Sequence, residues 1–294
     1  MQENKKKKIV AFYHRGDLDG VSSGAILNKM FKDQDLTLIG VEYGDKINET
    51  ELTKDADIVY VVDYTFEPFD KMVKLHKSKN LIWIDHHKSS LEHTALHPEI
   101  KFKGVLGDNT KSAAELTWEY FFNGIKTPYA IKQISLFDTW QHNYADDILN
   151  FYYGVEAKSK MNPRAEIWKE LFTSRQTMEL EVSIEEIGQS IRDYHIMKDA
   201  AYAFDHAFET EFEGYKAIVI NIGFSGSMKF KSVYNPKKHD IMIGFSRRAN
   251  HTWKYSVYSE KNYIDCSAIS KKYGGGGHKG AAGFETYEEI PFKI

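Results

Sequence analysis

Four short apolar runs near the start of the chain set its fold class: "IVAFY" (9–13), "LTLIGVEY" (36–43), "IVYVV" (58–62) and "LIWI" (81–84). Each is of strand length and continuous rather than alternating, as expected for a strand covered on both faces. Between them lie stretches with helical spacing. "SSGAILNKMFKD" (22–33) puts Ile26, Leu27, Met30 and Phe31 on one face, and "FEPFDKMVKLHKS" (66–78) and "SAAELTWEYFF" (112–122) follow the same pattern. Alternation of this kind predicts βαβ units, hence an α/β fold with a parallel sheet and helices on both faces. From about residue 206 the pattern changes to short strands such as "YKAIVINIG", "DIMIGFS" and "WKYSVYS". The acidic, helical 183–204 stretch reads as a connector. The expected organisation is a parallel-sheet domain over 1–180, a helical connector over 181–205 and a smaller α/β domain over 206–294.

At 294 residues and 42% hydrophobic the chain can bury two cores, and no apolar run approaches the ~18 residues of a membrane span. The N-terminal lysine run has no apolar h-region after it, because "IVAFY" stops at His14. One cysteine, Cys266, excludes an intramolecular disulfide and fits a reducing compartment. These features predict a cytoplasmic protein with no membrane partner. The net charge of −3 is unevenly spread: residues 215–284 hold twelve Lys/Arg against Asp240, Glu260 and Asp265. A basic block on an otherwise acidic chain suggests an anionic partner.

Ligands of open parallel sheets bind beyond the carboxyl ends of the strands. The first run is followed by His14, Asp17 and Asp19, the third by Asp63, and the fourth by Asp85, His86 and His87. Asp138, in "LFDTW", follows a helical stretch able to fold over the same edge. An EF-hand is excluded, since "DLDG" lacks the later loop ligands. A mixed His/Asp set suits a hard-to-borderline divalent ion such as manganese, and two such ions can promote in-line phosphoryl displacement. The alternative is that each strand-end Asp only caps a helix or forms an Asx-turn. Near the C-terminus, Gly274–Gly277 followed by His278 and Lys279 would let a backbone approach an anion and offer it N–H groups.

Taken in order, "HRGDLDG", "VVDYT", "IDHHK", "FDTW" and "YGGGGHKGAAG" resemble the five motifs of the DHH phosphoesterase superfamily, across nearly the whole chain. That superfamily includes RecJ-type exonucleases, small oligoribonucleases, cyclic-dinucleotide phosphodiesterases and family II pyrophosphatases. The "DLDG", "DTW" and "YGGGGH" forms are most similar to the oligoribonuclease branch. The resemblance implies a DHH domain followed by a DHH-associated C-terminal domain, and two divalent ions, Mn2+ by preference. One ion would be held by His14, Asp17 and Asp63, and the second by Asp19, Asp63, His86 and Asp138, with Asp63 bridging. His87 would face the phosphate and Asp85 would orient its neighbours. Gly275, Gly276, Gly277, His278 and Lys279 would bind substrate. The chain departs from the family in two places. His14 stands three residues before Asp17, a shorter gap than many members have, and Tyr258 stands where an arginine is usual, leaving Arg247 and Arg248 as basic candidates.

The activity so implied is metal-dependent hydrolysis of short oligonucleotides, single-stranded RNA or DNA, to nucleoside monophosphates. Three alternatives remain open: a cyclic or linear dinucleotide phosphodiesterase, a nucleoside bisphosphate phosphatase, and a nucleotide-binding regulator with an idle site. A homodimer is also open, since the sequence does not give the oligomeric state.

Overall fold

A computed structural model describes residues 6–143, 145–173, 178–223, 226–290 and 292. Residues 1–5, with the first lysine of the N-terminal run, lie outside it. The chain divides into two compact units, residues 1–191 and 192–294.

The first unit opens with β1 (Lys8–His14), α1 (Leu18–Met30), β2 (Asp35–Val41), α2 (Glu49–Leu52), β3 (Ile58–Val62) and α3 (Asp70–Ser78). It continues through β4 (Leu81–Asp85), α4 (Lys88–Leu96) and β5 (Lys103–Leu106). The five strands form a parallel sheet in the order β2-β1-β3-β4-β5. Alternation along β1 sends Val10 and Phe12 to one face, where they meet Met72 and Leu75 of α3. Ile9 and Ala11 go to the other face, with Leu27 of α1 and Leu116 of α5 (Ala113–Phe121). Helices therefore cover both faces, as the continuous apolar runs require. Edge strand β2 is only partly buried.

Four further helices complete this unit: α6 (Tyr129–Asp138), α7 (Asp146–Ser159), α8 (Ile167–Leu171) and the first part of α9 (Met178–His206). Leu18, Val21 and Ala25 of α1 share a core with Trp118, Ile134, Phe151, Trp168 and Ile184. Helix α1 thus lies between the sheet and this helical layer and is buried from Leu18 to Leu27. That double burial explains its small residues, Gly20, Ser22, Ser23, Gly24 and Ala25: two neighbours can approach only if side chains are short.

The second unit contains the rest of α9, then β6 (Ala207–Phe212), β7 (Tyr215–Asn221), β8 (Ile241–Arg247) and β9 (Trp253–Tyr258). After α10 (Cys266–Lys271) come β10 (Gly276–Gly277) and β11 (Ala281–Thr286). The six strands form a mixed sheet in the order β10-β11-β9-β8-β7-β6, in which β7 and β8 pair in parallel and the other neighbours antiparallel. Val219, Ile243, Tyr255 and Phe284 pack with Ile264, Cys266 and Ile269. Ile218, Met242 and Tyr258 form another cluster, with Phe230 and Ala203 of α9. Along α9, Ile184 is buried in the first unit's core and Ala203 in the second's.

Candidate metal centre

The order of the parallel sheet creates the site. The chain leaves β1, adds β2 on one side, then returns to add β3 on the other, so a crevice opens at the carboxyl end of β1. Pairing of Tyr13 with Val62, and of Val62 with Ile84, brings the next residues, His14, Asp63 and Asp85, to one level. At Asp63 the backbone turns into the left-handed region, φ 53°, while its N–H still donates to Ile84 O at 2.9 Å. Asp adopts this region more readily than most residues.

Asp63 faces two groups. Its Oδ2 lies 3.5 Å from His14 Nδ1, and its Oδ1 lies 3.4 Å from His86 Nε2. Around His14, Asp17 places Oδ2 2.8 Å from Nδ1. Asp17 Oδ1 meanwhile caps α1 by accepting from Gly20 N at 3.0 Å, so the capping role and a ligand role use different oxygens. Around His86 Nε2 stand Asp138 Oδ2 at 3.2 Å, from the end of α6, and Asp19 Oδ2 at 3.5 Å. Asp19 is held by the start of α5: Ala113 N and Ala114 N each donate to one of its oxygens at 2.8 Å. Within each trio, His14/Asp17/Asp63 and Asp19/His86/Asp138, the candidate ligand atoms lie within 4.8 Å of one another.

These residues fit divalent cations. Buried polar atoms are normally hydrogen-bonded, yet His14 Nδ1, Asp63 Oδ1 and Asp138 Oδ2 make no hydrogen bond among the described residues. They stand close to their neighbours but converge on shared space. Adjacent donors of an octahedral ion with ~2.1 Å bonds are about 3 Å apart, comparable to these spacings. Carboxylate oxygens with one imidazole per trio are a donor set for a hard-to-borderline ion.

The electrostatics agree. Burial disfavours charge on His86, but Asp138, Asp63 and Asp19 outweigh it and raise its pKa to about 11. His14 is raised in the same way, against burial, by Asp17, Asp63 and Glu42. Burial, helped by Asp17 and Asp63 and opposed by His86, lifts Asp138 to about 7. Asp19 is lifted well above the carboxylate range by burial and by Asp63 and Asp138. Asp63 is held below that range, against burial, by His14 and His86. Without a cation the cluster holds protons that a divalent ion would replace.

Asp85 sits behind this cluster. Its Oδ1 accepts from His86 N at 2.8 Å, His87 N at 3.2 Å and His87 Nδ1 at 2.7 Å. Its Oδ2 accepts from Thr65 Oγ1 at 3.0 Å and Ser90 Oγ at 2.6 Å. Burial pushes the carboxyl up, but the His87 charge and its bond outweigh this, and the pKa falls to about 2. Sequence reasoning missed Thr65, Ser90 and the α5 amides. It also missed Glu42, whose Oε1 lies 3.2 Å from His14 Nε2. The rule that singled out Asp63, a polar residue just past an apolar run, finds Glu42 when applied to β2.

In the second unit the glycine segment is largely occupied by its own domain. Gly275 N donates to Ser270 O, Gly274 N to Lys271 O and His278 N to Ala281 O, and Gly276 and Gly277 pair with β11. Arg247 lies over the Trp253 ring at 6.0 Å, and Arg248 pairs with Glu285 at 2.7 Å. The basic block is likewise partly neutralised: Lys229 pairs with Asp199, Lys238 with Glu209, Lys261 with Asp240 and Lys272 with Glu213. Lys279 follows His278 in the turn between β10 and β11.

No family model matches the chain. Uncharacterized protein R106 of Acanthamoeba polyphaga mimivirus is 25% identical over 313 residues, covering 95% of this chain and 68% of that protein. Among solved structures, the DHH domain of a member of a ribosomal protein family matches with a TM-score of 0.61. It is 15% identical, covering 94% of this chain and 82% of that one. RecJ of Thermus thermophilus, in complex with Mn2+, matches with a TM-score of 0.50 at 15% identity, covering 95% of this chain and 49% of that one. At these identities the likeness establishes the fold alone, the one seen in that DHH-domain structure.

Proposed function

We propose that this chain is a metal-dependent phosphodiesterase that hydrolyses short oligonucleotides to nucleoside monophosphates. The observation that carries this reading is the two-sided presentation of Asp63, with one oxygen toward His14 and the other toward His86. His14, Asp17 and Asp63 would hold one divalent ion; Asp19, Asp63, His86 and Asp138 would hold the other. Two such ions supply an activated water and neutralise charge on the attacking and leaving oxygens. Mn2+ is the preferred ion in this reading. The carboxylate majority in each trio suits it, and RecJ of Thermus thermophilus, which shares the fold, is in complex with Mn2+.

The chain's own residues do the positioning. Asp85, fixed by Thr65 and Ser90, ties down His87 Nδ1 and turns the rest of that ring to the substrate phosphate. Asp19, braced by the α5 amides, resists being drawn out of place as charge shifts at phosphorus. Gly275, Gly276, Gly277, His278, Lys279, Arg247 and Arg248 are the candidates for holding a substrate phosphate or terminus. No described helix is long and apolar enough to cross a membrane.

The test is digestion of end-labelled RNA and DNA, from two to about twenty-five nucleotides, by metal-stripped protein with Mn2+ or Mg2+ returned. The reading expects no cleavage without metal, and with Mn2+ release of mononucleotides, fastest from the shortest substrates. Failure to cleave any length with either ion would overturn it.

A further inference from the structure

The carboxylate just past β2 belongs to neither trio. The register pairs His14 with Val41, so Glu42 follows on level with the imidazole, and Glu42 Oε1 meets His14 Nε2 at 3.2 Å. The other ring nitrogen, Nδ1, is the one near Asp17 Oδ2 and Asp63 Oδ2, at 2.8 and 3.5 Å. A neutral imidazole that gives one nitrogen to a cation carries its hydrogen on the other. We propose that Glu42 is a positioning residue for His14: it accepts the Nε2 hydrogen and so makes Nδ1 the nitrogen that ligates the ion. This inference rests on the reading of His14 as a metal ligand.

The surroundings hold Glu42 in place. Its N–H donates to Asp45 Oδ2 at 3.0 Å, and Asp45 N donates back to Glu42 O at 3.0 Å. The Arg15 guanidinium pairs with Asp45, which fixes the turn to the residue after His14. Tyr43 N donates to Glu42 Oε1 at 3.0 Å, and the Tyr43 ring lies between His14 and Tyr64, with centroids 5.7 and 4.7 Å away. Gly16 leaves the room for the contact: a Cβ there would stand 2.5 Å from Glu42 Oε2 and 2.8 Å from His14 Nε2. Partners that orient a ligating histidine typically contribute about ten- to a hundredfold in metal affinity.

The experiment uses the full chain with isotope-labelled histidine nitrogens, loaded with NMR-active cadmium. The expected spectrum shows cadmium coupled to His14 Nδ1, with the proton retained on Nε2. Calorimetric cadmium titration should show Glu42→Ala weakening one site about ten- to a hundredfold. Glu42→Gln, whose amide oxygen can accept the same hydrogen, should recover most of that loss. His14→Ala reports on the premise. Coupling to Nε2, or unchanged affinity in Glu42→Ala while His14→Ala loses a site, overturns the role of Glu42 and leaves the metal reading intact. Unchanged affinity in His14→Ala removes the premise and the inference together. Should Glu42→Ala fail to fold, the wild-type spectrum decides alone, since it assigns the ligating nitrogen directly.

Discussion

Asp138 and His86 carry the clearest consequence at the scale of single residues. Asp138 has a folded pKa of about 7 against an ordinary 3.8, so the folded chain keeps a proton there that the unfolded chain has released. Its stabilising contribution is present below about pH 4 and is lost as pH rises through about 7. His86, raised from 6.5 to about 11, has the same sign over a higher range. Asp63 and Asp85, held low, add no slope above pH 5. His142, lowered by burial, works in the opposite direction. A bound cation must displace the protons on Asp138 and His86. Metal-stripped protein should therefore melt at a lower temperature at pH 8 than at pH 5, and the rise in Tm on adding Mn2+ should grow over that interval. Calorimetric scans at matched ionic strength measure both; a Tm gain independent of pH would contradict the protonated cluster.

Where α1 meets β1, the contact leaves no room for a side chain. Gly20 lies in the first turn of α1, where Ala would ordinarily improve a helix by up to about 1 kcal/mol. Here a Cβ would fall 2.0 Å from the carbonyl oxygen of His14, which is backbone and cannot swing aside. Overpacking of this kind costs about 1–3 kcal/mol, so the sign reverses. Gly20→Ala should lower the denaturant midpoint of the metal-stripped protein. It should also weaken metal binding, because α1 carries Asp17 and Asp19 away from His14 as it shifts. Unchanged stability and affinity would mean that the helix does not approach the strand this closely. The sequence pattern revealed α1 through Ile26, Leu27, Met30 and Phe31, but not its burial on both sides. That second face is lined by Leu18 and Val21, and it depends on helices α5 to α8 folding back, which no local periodicity records. Strand β5 escaped for a related reason: "KGVL" is too short and too polar to stand out.

Across the whole molecule, the features legible in the sequence were those fixed by local chemistry. Strand ends could be found because three of the four apolar runs stop at a His or Asp, and the parallel order then brings His14, Asp63 and Asp85 together. Partners supplied from far along the chain stayed hidden, as with Ala113 and Ala114, which reach Asp19 across more than ninety positions. Charge pairing is non-local in the same way. The lysines of 215–284 look unopposed in sequence, but Asp199, Glu209 and Glu213, from an acidic stretch outside that block, fold back onto three of them. In the proposed function one carboxylate, Asp63, would serve two cations that together supply the chemistry. Asn tolerates the left-handed backbone found at Asp63, so Asp63→Asn should keep the fold while removing the shared charge. The decisive measurement is Mn2+ stoichiometry and affinity, with turnover of a small phosphodiester, in wild type and Asp63→Asn side by side. The expected result is two ions bound by the wild type, weakened binding at both sites in the variant and turnover lower by orders of magnitude. An Asp63→Asn protein that binds two ions with wild-type affinity and turns over at the wild-type rate would contradict it.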